Sequence, residues 1–182
     1  MAHVLWRSTN GHGFDRCTLD QIAGGYRLSG TALFALDGEA YEIRYSVMTN
    51  PAYATTTVGA HVQSSGNDRR MALQADGEGS WSVGDDALLD LYGAIDADLT
   101  WTPATNSLPI LRLGLEIGES AGITAAVVDF PGHEIRKELQ RYTRTGPASY
   151  LYESDSFEAE LDTSEDQLVV RYGDVWEAVA PT

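Results

Sequence analysis

Residues 25–49 form two runs of alternating character joined by one dipeptide, and this pattern constrains the fold more than any other feature of the chain. "GYRLSGTALFAL" leads into Asp37-Gly38, a pair suited to tight hairpin turns because both central positions take positive φ. "EAYEIRYSVMT" follows. In it Tyr41, Ile43, Tyr45 and Val47 alternate with Glu42, Arg44 and Ser46, so a strand there buries one face and wets the other. The same strand–turn–strand unit recurs along the chain. "YATTTVGAHVQ" is rich in β-branched residues, and "RRMALQAD" turns at Asp76-Gly77 into "GSWSVG". "AGITAAVVDF" stops at Pro131-Gly132. "SYLYES", "SFEAELD" and "QLVVRYG" are each bounded by polar turns, and the opening stretch supplies two more strands. The expected fold is all-β, with many short and mainly antiparallel strands. A sheet of so many strands must curl or close to bury a face and limit its edges.

Two segments stay open. "DALLDLYG" fits a short helix or a strand. "HEIRKELQRYTRT" places Ile135, Leu139 and Tyr142 at helical spacing, yet an irregular strand fits as well. No repeat of fixed period and no linker interrupts the 182 residues, so one domain over 1–182 is expected.

The charge balance excludes several partners. With 12 basic and 27 acidic residues the formal net charge is -15, which repels phosphate backbones and anionic membrane surfaces. All the basic residues except Lys137 are Arg. No apolar run is long enough to span a bilayer, so membrane insertion is not expected. "MAHVLWRSTNGHGFD" has neither the basic nor the apolar region of an export signal, and a cytoplasmic location is expected. Cys17 is the only cysteine, which rules out an intramolecular disulfide. His3, His12, His61 and His133 show no ligand spacing, and Gly11 and Gly13 do not continue into a phosphate-binding loop. Neither a metal nor a cofactor is expected.

The chemistry concentrates in "IDADLTWTPATNSLPILRL", Ile95 to Leu113. Alternation places Ile95, Ala97, Leu99 and Trp101 on one face and Asp96, Asp98 and Thr100 on the other. Thr102 to Ser107 read as a turn, and Leu111, Leu113, Leu115 and Ile117 as the apolar row of a return strand. Such a hairpin brings Asp98 close to Arg112. The plainer reading is a cross-strand ion pair that holds the register; the functional one is a cavity lining that receives ligand hydroxyls and an anionic or carbonyl group. The aromatics add a second signal. Four Trp and nine Tyr are spread over the strands, among them Tyr53, Trp101, Tyr142 and Trp176. On a concave sheet, rings with polar tips suit an amphiphile.

The order "VLWR", "GGYRLSGTA", "YEIRYSV", "YATTTV", "LQRYTR", "SYLYES", "FEAELD" and "LVVRYGDVW" resembles, over nearly the whole chain, the bacterial and archaeal domain family described as "putative glycolipid-binding". Its most distinctive segment is intact as D-x-D-L-T-x-T-P-x-T-N-x-L-P-x-x-R-L. The resemblance implies a spiral β-roll or half-barrel with a central cavity, similar in shape to carriers of lipids and lipoproteins. By motif it marks Asp96, Asp98, Thr102, Asn106 and Arg112 as a common site or its scaffold. The chain departs from the family pattern twice: Gly13-Phe14-Asp15 carries a shorter acid than the usual G-x-E, and Tyr53 stands where Trp is frequent. The resulting expectation is a binding protein for an amphiphilic, glycolipid-like small molecule. The alternatives are a hydrolase or isomerase using Asp96 or Asp98 with Arg112, and an interaction module with no small ligand.

Overall fold

The computed structural model describes residues 1–132, 134–155 and 157–181. His133 lies outside the described residues. The strands are β1 Ala2–Ser8, β2 Gly13–Ile22, β3 Gly25–Leu36, β4 Glu39–Thr49, β5 Thr55–Ser64, β6 Asn67–Ala75, β7 Trp81–Val83 and β8 Asp86–Ala87. They continue as β9 Asp96–Leu99, β10 Ser120–Val128, β11 Ile135–Arg144, β12 Ser149–Ser154, β13 Glu158–Thr163, β14 Val169–Tyr172 and β15 Trp176–Pro181. Among the described residues one short α-helix, α1, spans Ser107–Leu113. No helix among the described residues is long and apolar enough to cross a membrane.

All strands join one 15-stranded sheet in the order β8-β7-β6-β5-β4-β3-β2-β1-β15-β14-β13-β12-β11-β10-β9. Among the described residues every pairing is antiparallel except β9 with β10. The all-β reading therefore holds. The β3–β4 hairpin closes at Asp37-Gly38 with φ of 53° and 80°, as its turn dipeptide requires. Within "HEIRKELQRYTRT", Ile135–Arg144 form a strand: β11 pairs with β10 from Ile135 to Thr143 and with β12 from Gln140 to Arg144. Two flanking strands outweigh the helical stripe, because a helix there would leave the facing edges of β10 and β12 without backbone partners. "DALLDLYG" divides between β8 and a 3₁₀ turn at Leu89–Leu91.

The sheet rolls back on itself. The Thr55 N–H donates to the Ile95 carbonyl at 3.1 Å, and the Ala97 N–H to Thr55 Oγ1 at 3.1 Å, so the start of β9 meets β5. One face of β9–β10, with Ala97, Leu99, Ala126 and Val128, packs into the same core as Leu28, Ile43, Val47, Val58 and Leu73 of β3–β6. The other face carries Asp96 and Asp98, in cross-strand rows with Ala125 and Glu138 and with Val127 and Arg136, and Gln140 and Tyr142 lie further along β11 on that same face.

The expected hairpin at 95–113 is not formed. Leu99 ends the strand, residues 104–106 make a 3₁₀ turn, and α1 follows. Trp101 through Ile110 are all buried, so this segment occupies the interior that the resemblance leaves for a central cavity. Leu108 joins the main core, and Ile110 joins a second cluster with Tyr142, Tyr150, Tyr152 and Leu161. Ser107 Oγ accepts the Val169 N–H at 3.0 Å, and Trp6 Nε1 donates to the Val169 carbonyl at 3.0 Å, which ties α1 to β14 and β14 to β1.

Candidate functional site

The motif residues divide into two groups. The first lies on the Asp96 side of β9. Arg112 reaches back from α1 and holds Asp96 bidentately, Nε to Oδ1 at 2.9 Å and Nη2 to Oδ2 at 2.5 Å. The expected Asp98–Arg112 pair is thus replaced by Asp96–Arg112, because a helix projects Arg112 to a different place than a return strand would. Asp96 is 1 % exposed, and burial pushes its carboxyl up despite the guanidinium. Asp98 accepts from Gln140 Nε2 at 2.7 Å and from Thr105 Oγ1 at 3.4 Å. Burial raises its carboxyl to about 6. The Tyr142 hydroxyl donates to Asn106 Oδ1 at 2.8 Å. These groups bond to one another and hold residues 101–113 against the sheet.

The second group forms around a residue that the sequence pattern marks only as a departure from the family. Asp15 sits in a cross-strand row with Trp6, Ala32 and Ile43, all buried. Its Oδ2 accepts from the Tyr45 hydroxyl at 2.7 Å and from Thr102 Oγ1 at 2.5 Å. Oδ1 is buried without a hydrogen-bond partner, and the Arg16 backbone N–H is among the groups that pull the carboxyl down. Burial raises this carboxyl from 3.8 to about 6, against the pull of Thr102 and Tyr45. Trp101, next to Thr102, packs edge-on to Tyr45 at 6.3 Å, and its Nε1 is also buried without a partner. Cys17 lies in the same neighbourhood, and burial pushes its thiol up, so it is an inert wall.

Gly30 makes this arrangement possible. A β-carbon there would lie 2.4 Å from the Tyr45 hydroxyl and 2.8 Å from the Arg16 carbonyl. Gly30→Ala is expected to cost about 1–3 kcal/mol in urea unfolding, because the ring cannot stay on Asp15 beside a methyl group.

One residue row above Asp15 the sheet ends in a recess of about 250 Å³. Four chain turns converge there: Ser8 to Gly13, Phe34 to Leu36, the region of Phe130, and Val175-Trp176, with Trp101 among them. Phe130 packs edge-on to Phe34 at 4.9 Å, to Tyr41 at 5.1 Å and to Trp101 at 6.5 Å. The walls are aromatic, the polar groups are Ser8, Asn10 and His12, and no Lys or Arg lines it. Among the described residues no three His, Cys, Asp or Glu side chains come together as a metal site.

The structure brings Trp101 and Trp176 together at this recess and Thr102 beneath it. Asp96, Asp98, Asn106, Arg112 and Tyr142 belong to the other group. Tyr53 is remote from the recess: it stacks on Tyr26 at 4.2 Å. Tyr26 and Phe34 lie at opposite ends of β3, about 27 Å apart by strand rise. Sequence reasoning does not single out Phe34 and Phe130, and it marks Asp15 only as a departure from the family pattern and Tyr45 only as one ring of a buried strand face. For Asp15 a signal exists: an acid in phase with Gly13 and Cys17, on the side opposite Phe14 and Arg16.

Comparison with known proteins agrees with this architecture. The crystal structure of a DUF1089 family protein from Pseudomonas aeruginosa superposes with a TM-score of 0.82, at 30% identity, over 91% of each chain. No curated protein matches the chain. The family model described as "Putative glycolipid-binding" matches residues 3–178, and on that span the chain belongs to this family.

Proposed function

We propose that this chain binds one end of an amphiphilic small molecule in the aromatic recess. The observation that carries this reading is the lining: rings of Phe34, Trp101, Phe130 and Trp176 form walls, and Ser8, Asn10 and His12 supply a few polar groups. Small-molecule sites combine apolar walls and sparse polar groups in this way. A recess of about 250 Å³ is smaller than the usual small-molecule site, so it takes one moiety and leaves the rest of the ligand outside. The family description is consistent with a ligand of this class. In this reading Trp101 and Trp176 touch the ligand, Thr102 acts through Asp15, and Asp96, Asp98, Asn106, Arg112 and Tyr142 form the frame. Tyr53 plays no part. A hydrolase or isomerase at Asp96 or Asp98 has less to support it, since both carboxylates are already engaged by Arg112, Gln140 and Thr105.

Titration with n-octyl glucoside below its micelle concentration, followed by tryptophan fluorescence, tests the proposal. Saturable binding is expected. Phe34→Ala should weaken it about tenfold, the worth of a partly buried ring, and Tyr53→Ala should leave it unchanged. Absence of saturation, or indifference to Phe34→Ala, overturns the reading.

A further inference from the structure

Resting on the recess as the binding site, we propose that Asp15 and Trp101 select its ligand, admitting an uncharged hydroxyl-bearing end and rejecting an anionic one. Two buried polar atoms have no bond within the chain at this place: the acceptor Asp15 Oδ1 and the donor Trp101 Nε1. Buried groups of this kind are rare enough in folded proteins that each calls for a partner. The two are complementary. A hydroxyl donates one proton and accepts through its lone pairs, so one such group answers both a carboxylate oxygen and an indole N–H.

The two side chains belong to one connected unit. Thr102, the neighbour of Trp101, donates to Asp15, and Tyr45 bridges them by bonding Asp15 and packing against the indole. Gly13, which lines the recess, precedes Asp15 on the same face of β2, and same-face neighbours lie about 7 Å apart. Asp15 is fully buried and does not itself line the recess; it lies one residue row beneath the wall that Gly13 forms.

Charge points the same way. No Lys or Arg lines the recess, and its only ionisable lining group is the exposed His12. Arg16 alternates with Asp15 on β2, so it sits on the exposed face of the strand. An anionic head group would approach a buried carboxylate with no guanidinium or ammonium to offset it, and such uncompensated like charges are strongly unfavourable away from water. A neutral hydroxyl meets no such penalty.

The test compares n-octyl glucoside with n-octyl sulfate, which match in chain and differ in charge. Wild-type protein should bind the glucoside at least about tenfold more tightly. Asp15→Asn should narrow that ratio, since the charge is gone while an oxygen remains for Tyr45 and Thr102. Trp101→Phe keeps the ring but loses the donor, and should weaken glucoside binding about fivefold, the size of one hydrogen bond. Should Asp15→Asn fail to fold, Trp101→Phe alone carries the test. Equal affinities for both probes, or no response to either substitution while Phe34→Ala still weakens binding, overturns this selection and leaves the recess assignment standing. Failure of both probes to saturate removes the recess itself.

Discussion

Replacing Arg112 by alanine should cost about 3–5 kcal/mol of stability at neutral pH, because it strands a buried carboxylate. Asp96 is 1 % exposed, and both of its oxygens are taken by the one guanidinium. The pair itself adds little to stability, since desolvation offsets attraction; removing one member leaves the whole desolvation cost uncompensated. The cost has a ceiling, because Asp96 escapes by taking up a proton. Three urea-unfolding curves check this, for Arg112→Ala, Asp96→Asn and the double variant. The double variant should recover more than half of the loss, and acidification to pH 5 should shrink the deficit of Arg112→Ala. A deficit of less than about 1 kcal/mol for Arg112→Ala would show that Asp96 is solvated or otherwise paired. The structural consequence would be local first: Arg112 is the clasp between α1 and β9, so its loss should loosen the segment that fills the interior.

The second large effect is a gain of stability on mild acidification. Asp15 titrates near 3.8 when unfolded and at about 6 when folded, because burial outweighs the hydrogen bonds from Thr102 and Tyr45. Between these values the folded chain holds a proton that the unfolded chain has released. Stability therefore falls as pH rises through the window from about 4 to 6, with a full span near 3 kcal/mol for Asp15. Asp98, also raised to about 6, changes stability in the same direction, though it is the less enclosed of the two. Unfolding free energies at pH 4.5 and 7.5 measure the sum, and the difference between wild type and Asp15→Asn isolates the Asp15 share. Asp15→Asn should be more stable than wild type at pH 7.5 and lose most of that advantage at pH 4.5. A wild-type profile that rises with pH across this window would mean that Asp15 is solvated. A chain that carries a costly carboxylate beneath an aromatic recess is in the position of many binding sites, where groups useful to a ligand are held at the expense of the free protein.

The candidate site was only half legible beforehand. Trp101 and Trp176 could be singled out as rings with polar tips, and both line the recess. Their neighbours Phe34 and Phe130 come from turns far apart in sequence, and only the roll of the sheet brings them together. Asp15 was visible in principle, since it shares its strand face with Gly13 and Cys17. One acid on a face says little until it is known whether that face is covered. The Asp96–Arg112 pair illustrates the reverse case: both residues were marked, but Asp98 was given as the partner on the assumption of a hairpin.

What the amino-acid order determines by itself is the local alternation of burial, and with it the strands. The β3–β4 hairpin, its Asp37-Gly38 turn and the run of antiparallel pairs from β1 to β6 follow from side chains two residues apart pointing the same way. The conformation of Ser107–Leu113 was decided elsewhere. Leu108, Ile110 and Leu111 are apolar at spacings that serve a strand or a short helix equally. The segment became a helix because it lies inside the roll, where an unpaired strand would leave backbone N–H and C=O groups buried without partners, whereas a helix bonds its own. β11 became a strand for the complementary reason, since it had β10 and β12 on either side to bond with.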